Sequence, residues 1–313
     1  MSIYRNPTLS IFRSPARVAP LISRLVCALF VAVVSALVAS TPLAAQSQKH
    51  IFYRVTGPNG AKVYLLGSVH ALPADASVMP AVVDDAFACA KAVVFEANLD
   101  SIEERSPELI ARARLKGGAT FMSSLSPEAV AKMQPILASY GLRFDQLAQF
   151  KPWFVTLALQ QAVAQQAAYY SHLGFDAQLN KRAKLQNKPR LSLESVDYQF
   201  GLFDALTPQQ QEAQLLATKR PIDAYRELET IKGLWMSGNA EGLDSLTHAG
   251  ETAATAELAN ALLTTRNANW LPKIEKWVHG RDDVLVVVGA AHVVGKDGLV
   301  AQLRAKGYRV DQL

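Results

Sequence analysis

Cysteine is scarce in this chain. Two occur in 313 residues, Cys27 and Cys89, and only Cys89 lies beyond the N-terminal apolar run, so no disulfide framework can hold the fold. Cys89 sits in "AVVDDAFACAKAVVF", an apolar stretch that predicts a core-packed thiol. No long Lys/Arg cluster appears, which leaves no nucleic-acid surface. No Pro/Gly/Ser linker and no short repeat divides the chain, which predicts one domain over 46–313. No H-E-x-x-H occurs, so zincin geometry does not apply. Long apolar runs are also missing. The strongest, Leu25–Ala39, falls short of the roughly 20 residues a membrane helix needs.

That run has its own reading. Arg5, Arg13, Arg17 and Arg24 precede it with no acid, and "STPLAAQSQ" follows. A basic start, an apolar centre and small residues describe a signal peptide over 1–45, cleaved near Ala45. A periplasmic or secreted protein with no stable membrane insertion once processed is expected. The charge argument changes with it. The whole chain has 32 basic and 27 acidic residues. Removing the four arginines leaves 28 against 27, a net of +1.

Half the chain is hydrophobic, enough for a sizeable core. Residues 51–56 and 62–67 flank "GPNG" and predict a hairpin. "VYLLGSVHALP" (63–73) is an apolar strand broken at Gly67. A loop, the helix "AVVDDAFACAKA" and the strand "VVFEANLD" follow, a βαβ pattern. "VLVVVGAAHVVG" (284–295) repeats the form, with a strand broken at Gly289, a loop, a helix closed by Gly307 and a last strand, "YRVDQL". Between them the chain reads as helical. "SPE" at 106–108, "SPE" at 126–128 and "TPQ" at 207–209 are helix starts with a capping hydroxyl and Pro at the first position. "KPWFVTLALQQAVAQQAAYYSHLG" predicts one long helix ended by Gly174, and "KPRLSLES" a buried strand ending at Glu194. The expected fold is α/β, with a central mixed, largely parallel sheet built from two βαβ halves and a large helical insertion at about 101–278.

His70, Glu96, Glu194 and His292 then fall at or just past strand ends. Ligands of open parallel sheets bind there. Two imidazoles and one or two carboxylates make a familiar shell for a divalent metal. Each also has a plainer reading. A histidine after an apolar strand can be a packed core residue. Glu96 and Glu194 can cap strands, Asp176 can be a helix N-cap, and Arg266 can be a solvated helix charge. His50, His172, His248 and His279 lack this context and read as structural.

"YLLGSVHALP", "VVFEANLD", "GFDAQLNKRAKLQNKPRLSLESVDYQFGLFDAL", "LLTTRNANWLPKIEKWV" and "VLVVVGAAHVVGKDGLVAQLRAKGYRV" together resemble the TraB/GumN family, which includes Tiki-type metalloproteases. The resemblance runs over most of the chain after residue 45, in order. It implies an α/β fold shared with erythromycin esterase-like and haem-binding ChaN-like proteins. For the Tiki branch it implies a peptidase using manganese or cobalt; zinc is a further candidate. His70, Glu96 and His292 match the essential positions of the family, and Asp176, Glu194 and Arg266 match further motif positions.

The expected function is a periplasmic metal-dependent hydrolase, a peptidase, with a peptide or small molecule as substrate. His70, His292, Glu96 and Asp176 are the expected metal residues. Glu96, Glu194 and Arg266 are the expected catalytic ones. A metal-free esterase-like hydrolase, with a histidine activating water and Glu96 orienting it, is the alternative. A non-enzymatic haem-, ligand- or peptide-binding protein is the third. Nothing in the sequence speaks to oligomeric state.

Overall fold

Six strands form the sheet that positions the candidate residues of this chain. The structure, a computed structural model, describes residues 48–249 and 253–313. The expected signal peptide and its cleavage point lie outside them. β1 (Phe52–Thr56) and β2 (Lys62–Ser68) form the expected antiparallel hairpin. β3 (Ala92–Phe95), β4 (Arg190–Ser192), β5 (Val284–Gly289) and β6 (Val310–Gln312) complete a sheet of order β4-β3-β5-β2-β1-β6. The pairs β2–β5, β5–β3 and β3–β4 are parallel, while β1 runs antiparallel to β2 and β6. The sheet is therefore mixed and largely parallel, as expected.

Its two βαβ units interleave. β2 leads through the Ala81–Cys89 helix to β3, and β5 leads through the Leu299–Ala305 helix to β6. β5 inserts between β2 and β3. β2 and β5 thus become direct neighbours, with Gly67 opposite Val288 and Ser68 opposite Gly289. The two G-x-x-H segments leave adjacent strands at the same end of the sheet. Continuous apolar sequence makes this possible, because a parallel interior strand is covered on both faces. Every residue of β3 and β5 is buried.

The main core joins these strands to the Ala81–Cys89, Phe175–Leu185, Thr265–Val278 and Leu299–Ala305 helices. The intervening helices have a separate core, in which Phe121, Met133, Leu137, Val155, Leu159 and Leu215 meet. β4 lies inside the stretch expected as a helical insertion, so that stretch also supplies an edge strand. Among the described residues, no helix is long and apolar enough to cross a membrane.

Several local expectations need correction. β4 is three residues long and exposed, because it is an edge strand with a partner on one side only. The long helix runs Pro152–Gln166, and Ala168, with a φ of 59°, turns the chain away just past its end; Gly174 instead is the N-cap of the Phe175–Leu185 helix. "AAHV" is a short helix, Ala290–Val293, rather than loop. Ser126 and Thr207 cap their helices, but the Ser106 hydroxyl donates back to the carbonyls of Ile102 and Glu103. Cys89 is exposed at the end of its helix and is not core.

Candidate active site

Four neighbouring parallel strands each deliver one polar side chain to the same end of the sheet. β2 leads to His70, β3 to Glu96, β4 to Glu194 and β5 to His292. Asp176 and Arg266 come from helices packed against that end. The structure thus gathers all six residues that the sequence singles out.

His292 is buried, and its ring is fixed on three sides. The Asn267 amide nitrogen donates to the carbonyls of His292 and Asp297, both at 3.1 Å. Its Oδ1 therefore faces His292 Nδ1, at 2.8 Å, and accepts the proton there. The lone pair is left on Nε2, 3.0 Å from Arg266 Nη1. Trp270 packs against the ring, with centroids 4.4 Å apart. Burial lowers the imidazole to about 4, so it is neutral at pH 7.

His70 is held from one side only. Its Nδ1 donates to Asp176 Oδ2 at 3.1 Å, and Asp176 Oδ1 accepts from the Ser68 hydroxyl at 2.9 Å. The Asp176 charge raises the imidazole above its ordinary value, and burial opposes this. With 61% of the side chain exposed, solvent moderates that pull. The ring lies over Gly289. A Cβ there would fall 3.0 Å from His70 Nε2 and 3.4 Å from Glu96 Oε1. Glycine at this strand end leaves room for the imidazole.

Glu96 lies between the two rings. Its Oε1 accepts the Gly289 N–H at 2.7 Å and stands 3.9 Å from His292 Nε2. Its Oε2 accepts from Arg266 Nη2 at 2.5 Å and Gln199 at 3.1 Å. Burial works against its charge, but the surrounding cations and the Gly289 N–H outweigh it and hold the carboxyl at about 2. Since burial keeps His292 neutral, Arg266 and His70 supply that charge at neutral pH.

Arg266 is buried and fully engaged. Nη2 donates to Glu96 and Glu194, and Nη1 to His292 and the Leu262 carbonyl. Nε donates to Glu194, at 3.1 Å to Oε1. All five N–H groups of a guanidinium are used. As placed it has no donor left for an oxyanion or a substrate carboxylate, so it positions the three groups around it. Glu194 is equally enclosed: Trp270 Nε1 donates to it at 2.9 Å, and burial raises its carboxyl against the pull of Arg266.

Among the described residues, no three His, Cys, Asp or Glu side chains close on one point as a finished metal shell. Asn267, Gln199, Ser68 and Trp270 join the site without being singled out by the sequence. Asn267 and Trp270 share the buried face of the Thr265–Val278 helix with Arg266. That face is the signal that points to them. Gln199 and Ser68 carry no local signal.

Beside Glu96 opens a cavity of about 200 Å³ lined by His70, Glu96, Asp176 and Gln199 together with apolar Ile102 and Val287. A wider cleft of about 610 Å³ continues past His70 and Asp176 to Asp100, His172 and Lys181.

The TraB/PrgY/gumN family model matches residues 51–312. The uncharacterized protein YbaP of Escherichia coli (strain K12) is 25% identical over 251 residues, covering 80% of this chain and 90% of that protein. The YbaP protein of Shigella flexneri matches to the same extent. An uncharacterized protein of Treponema pallidum (strain Nichols) is 22% identical over 277 residues, 83% of this chain and 81% of that protein. No solved structure matches the chain.

Proposed function

The chain belongs to the TraB/PrgY/gumN family, and on that premise we propose that the crevice is the active site of a periplasmic hydrolase, a peptidase, that uses a divalent metal. One observation carries the reading. Two imidazoles present Nε2 to the neighbourhood of one carboxylate oxygen, Glu96 Oε1, and each has its Nδ1 taken by a fixed acceptor, Asp176 or Asn267. Metal-binding histidines are oriented in this way.

The residues fit a divalent metal in kind and in charge. His70, His292 and Glu96 would hold it, with Asp176 and Asn267 behind the rings. The proton that Asp176 favours on His70 would give way to a metal there; with both histidines then neutral, Glu96, Glu194 and Asp176 carry three negative charges against the one positive charge of Arg266. A divalent cation offsets the difference of two. When bound, such a metal acidifies a water and polarises a carbonyl. Glu96, held ionised far below neutrality, suits a ligand and is a weak proton acceptor. Arg266 keeps Glu96 and Glu194 in register and would yield its contact with His292 Nε2, since the one lone pair of that nitrogen would go to the metal. His70 is the most open of the six and faces both cavities, so it meets the substrate. The cleft beyond it accommodates a peptide. The basic, apolar N-terminal segment supports the periplasmic location.

A second reading has its own observation. Arg266 Nη1 already stands 3.0 Å from His292 Nε2. In a metal-free hydrolase this contact persists, and His70 activates water beside Glu96. Elemental analysis of the purified protein, after loading with manganese, cobalt or zinc, separates the two. Stoichiometric metal in the wild type, lost in His70→Ala and in His292→Ala, is expected. A wild type without metal that hydrolyses peptides after exhaustive chelation overturns the metal-dependent reading.

A further inference from the structure

A third cavity adjoins the site, and the helical region builds it. About 210 Å³ in volume, it is lined by Leu157, Phe200, Leu202, Phe203, Leu262 and Leu263. Among the described residues, its polar linings are Gln199 and Arg266. Leu157 comes from the Pro152–Gln166 helix and Phe200, Leu202 and Phe203 from the Val196–Asp204 helix. Leu262 and Leu263 come from a π-helical turn, Asn260–Thr264. Turns of this kind, with their extra residue, recur at functional sites.

The cavity is joined to the chemistry by its polar end. Gln199 lines it and also lines the cavity around Glu96, where its amide donates to Glu96 Oε2. Arg266 closes the same end and holds Glu96 through Nη2. Its Nη1 ties to the Leu262 carbonyl of the π turn. Leu157, Phe200 and Phe203 are half-buried side chains seated on a small core of Ala113, Trp153 and Leu206, and Phe203 stacks on Trp153 at 5.4 Å. That side of the cavity is thus held from behind. The volume is below the ~300 Å³ at which pockets take whole ligands. It suits one side chain.

We infer that this cavity receives a single apolar group, a leucine-like or phenylalanine-like side chain, of the molecule whose reacting bond lies beside Glu96. Phe200, Leu262 and Leu263 set the specificity. The inference rests on the crevice being the functional site, and it gives the helical region a role as a specificity wall. An apolar group entering here leaves water, while Gln199 and Arg266 keep their existing partners.

The test measures binding, so it does not depend on turnover. The probes are N-acetyl amino-acid amides of glycine, alanine, leucine and phenylalanine, titrated into the full protein and followed by NMR. Tighter binding of the leucine and phenylalanine probes, by about 10-fold over alanine, is expected from the apolar area removed from water. Signals of Leu262 and Leu263 should shift. Leu263→Trp, which fills the cavity, should erase the preference. Phe200→Ala, which enlarges it, should move the preference towards phenylalanine. Thermal unfolding identifies any variant that fails to fold. Equal affinities across the series, or an unchanged order in a folded Phe200→Ala protein, overturn the inference. Failure to hydrolyse any peptide, with the preference intact, would instead count against the hydrolase reading alone.

Discussion

Asn267 decides which nitrogen of His292 faces the site. Its amide nitrogen is committed to two carbonyls, so its oxygen takes the Nδ1 proton and Nε2 is left unprotonated, facing Arg266 Nη1. Asn267→Ala removes that acceptor and both donors from a buried place. Unsatisfied buried groups cost about 1–3 kcal/mol each, so the variant should unfold earlier in denaturant. Metal affinity should fall about 10- to 100-fold, as when a partner behind a ligand is lost. Asn267→Asp restores the acceptor but not the donors, and should recover part of the affinity. Equal metal titrations for wild type and Asn267→Ala would show that the tautomer does not matter.

The two glycines of the paired motifs do different work, which separate alanine substitutions should expose. At Gly67 a Cβ would meet Ile51 Cγ2 at 2.5 Å and the Ala290 backbone at 3.0 Å. Gly67→Ala should therefore destabilise the fold, by about 1–3 kcal/mol as for overpacked cores. At Gly289 the nearest atom is His70 Nε2, the far end of an exposed ring that can swing aside. Gly289→Ala should leave the melting temperature close to wild type and still cost metal binding or activity at least about 10-fold, as for a misplaced reacting group. A large melting shift in Gly289→Ala with normal activity would reverse the assignment.

Strand ends make much of this site legible in the amino-acid sequence. His70, Glu96 and His292 each follow an apolar run that only a buried strand accommodates, and β4 does the same for Glu194 although it is short and exposed. Neighbourhood is not legible in that way. Two βαβ patterns in sequence do not say that β5 enters between β2 and β3, yet that insertion brings the histidines together. Arg266 can be read as a solvated helix charge, because its burial depends on Glu96 and Glu194 arriving from distant strands. Gln199 reaches Glu96 only because the helix after β4 packs over the end of β3. Cys89 misleads because apolar neighbours hide which side of a helix faces water.

Arg266 is the counter-charge for two enclosed carboxylates, and removing it should be costly. Arg266→Ala leaves Glu96 and Glu194 without their guanidinium, and an uncompensated buried ion pair costs about 3–5 kcal/mol. Arg266→Lys keeps the charge but cannot reach Glu96, Glu194, His292 and Leu262 together, so it should fall between Arg266→Ala and wild type. Urea midpoints would measure the order. A stability loss in Arg266→Ala under about 1 kcal/mol would mean that the carboxylates find water or lose their charge cheaply.

Asp100, on the wall of the wider cleft, offers a pH signature in stability. Hydrogen bonds from Arg190, then Asn180 and Lys184, hold its carboxyl well below the ordinary range. A carboxyl lowered in the folded state adds stability above its unfolded value, near 4. That stability is lost as pH falls through the folded value, because the unfolded chain takes the proton first. The group is partly exposed, so the contribution is about 1 kcal/mol or less. Asp100→Asn should unfold slightly more easily at pH 7, and the gap to wild type should narrow as the pH drops below about 4. Urea unfolding of both proteins from pH 7 to pH 3 would read it. A gap that stays constant over that range would mean that Asp100 stabilises the fold by packing and neutral hydrogen bonds, with its charge contributing nothing.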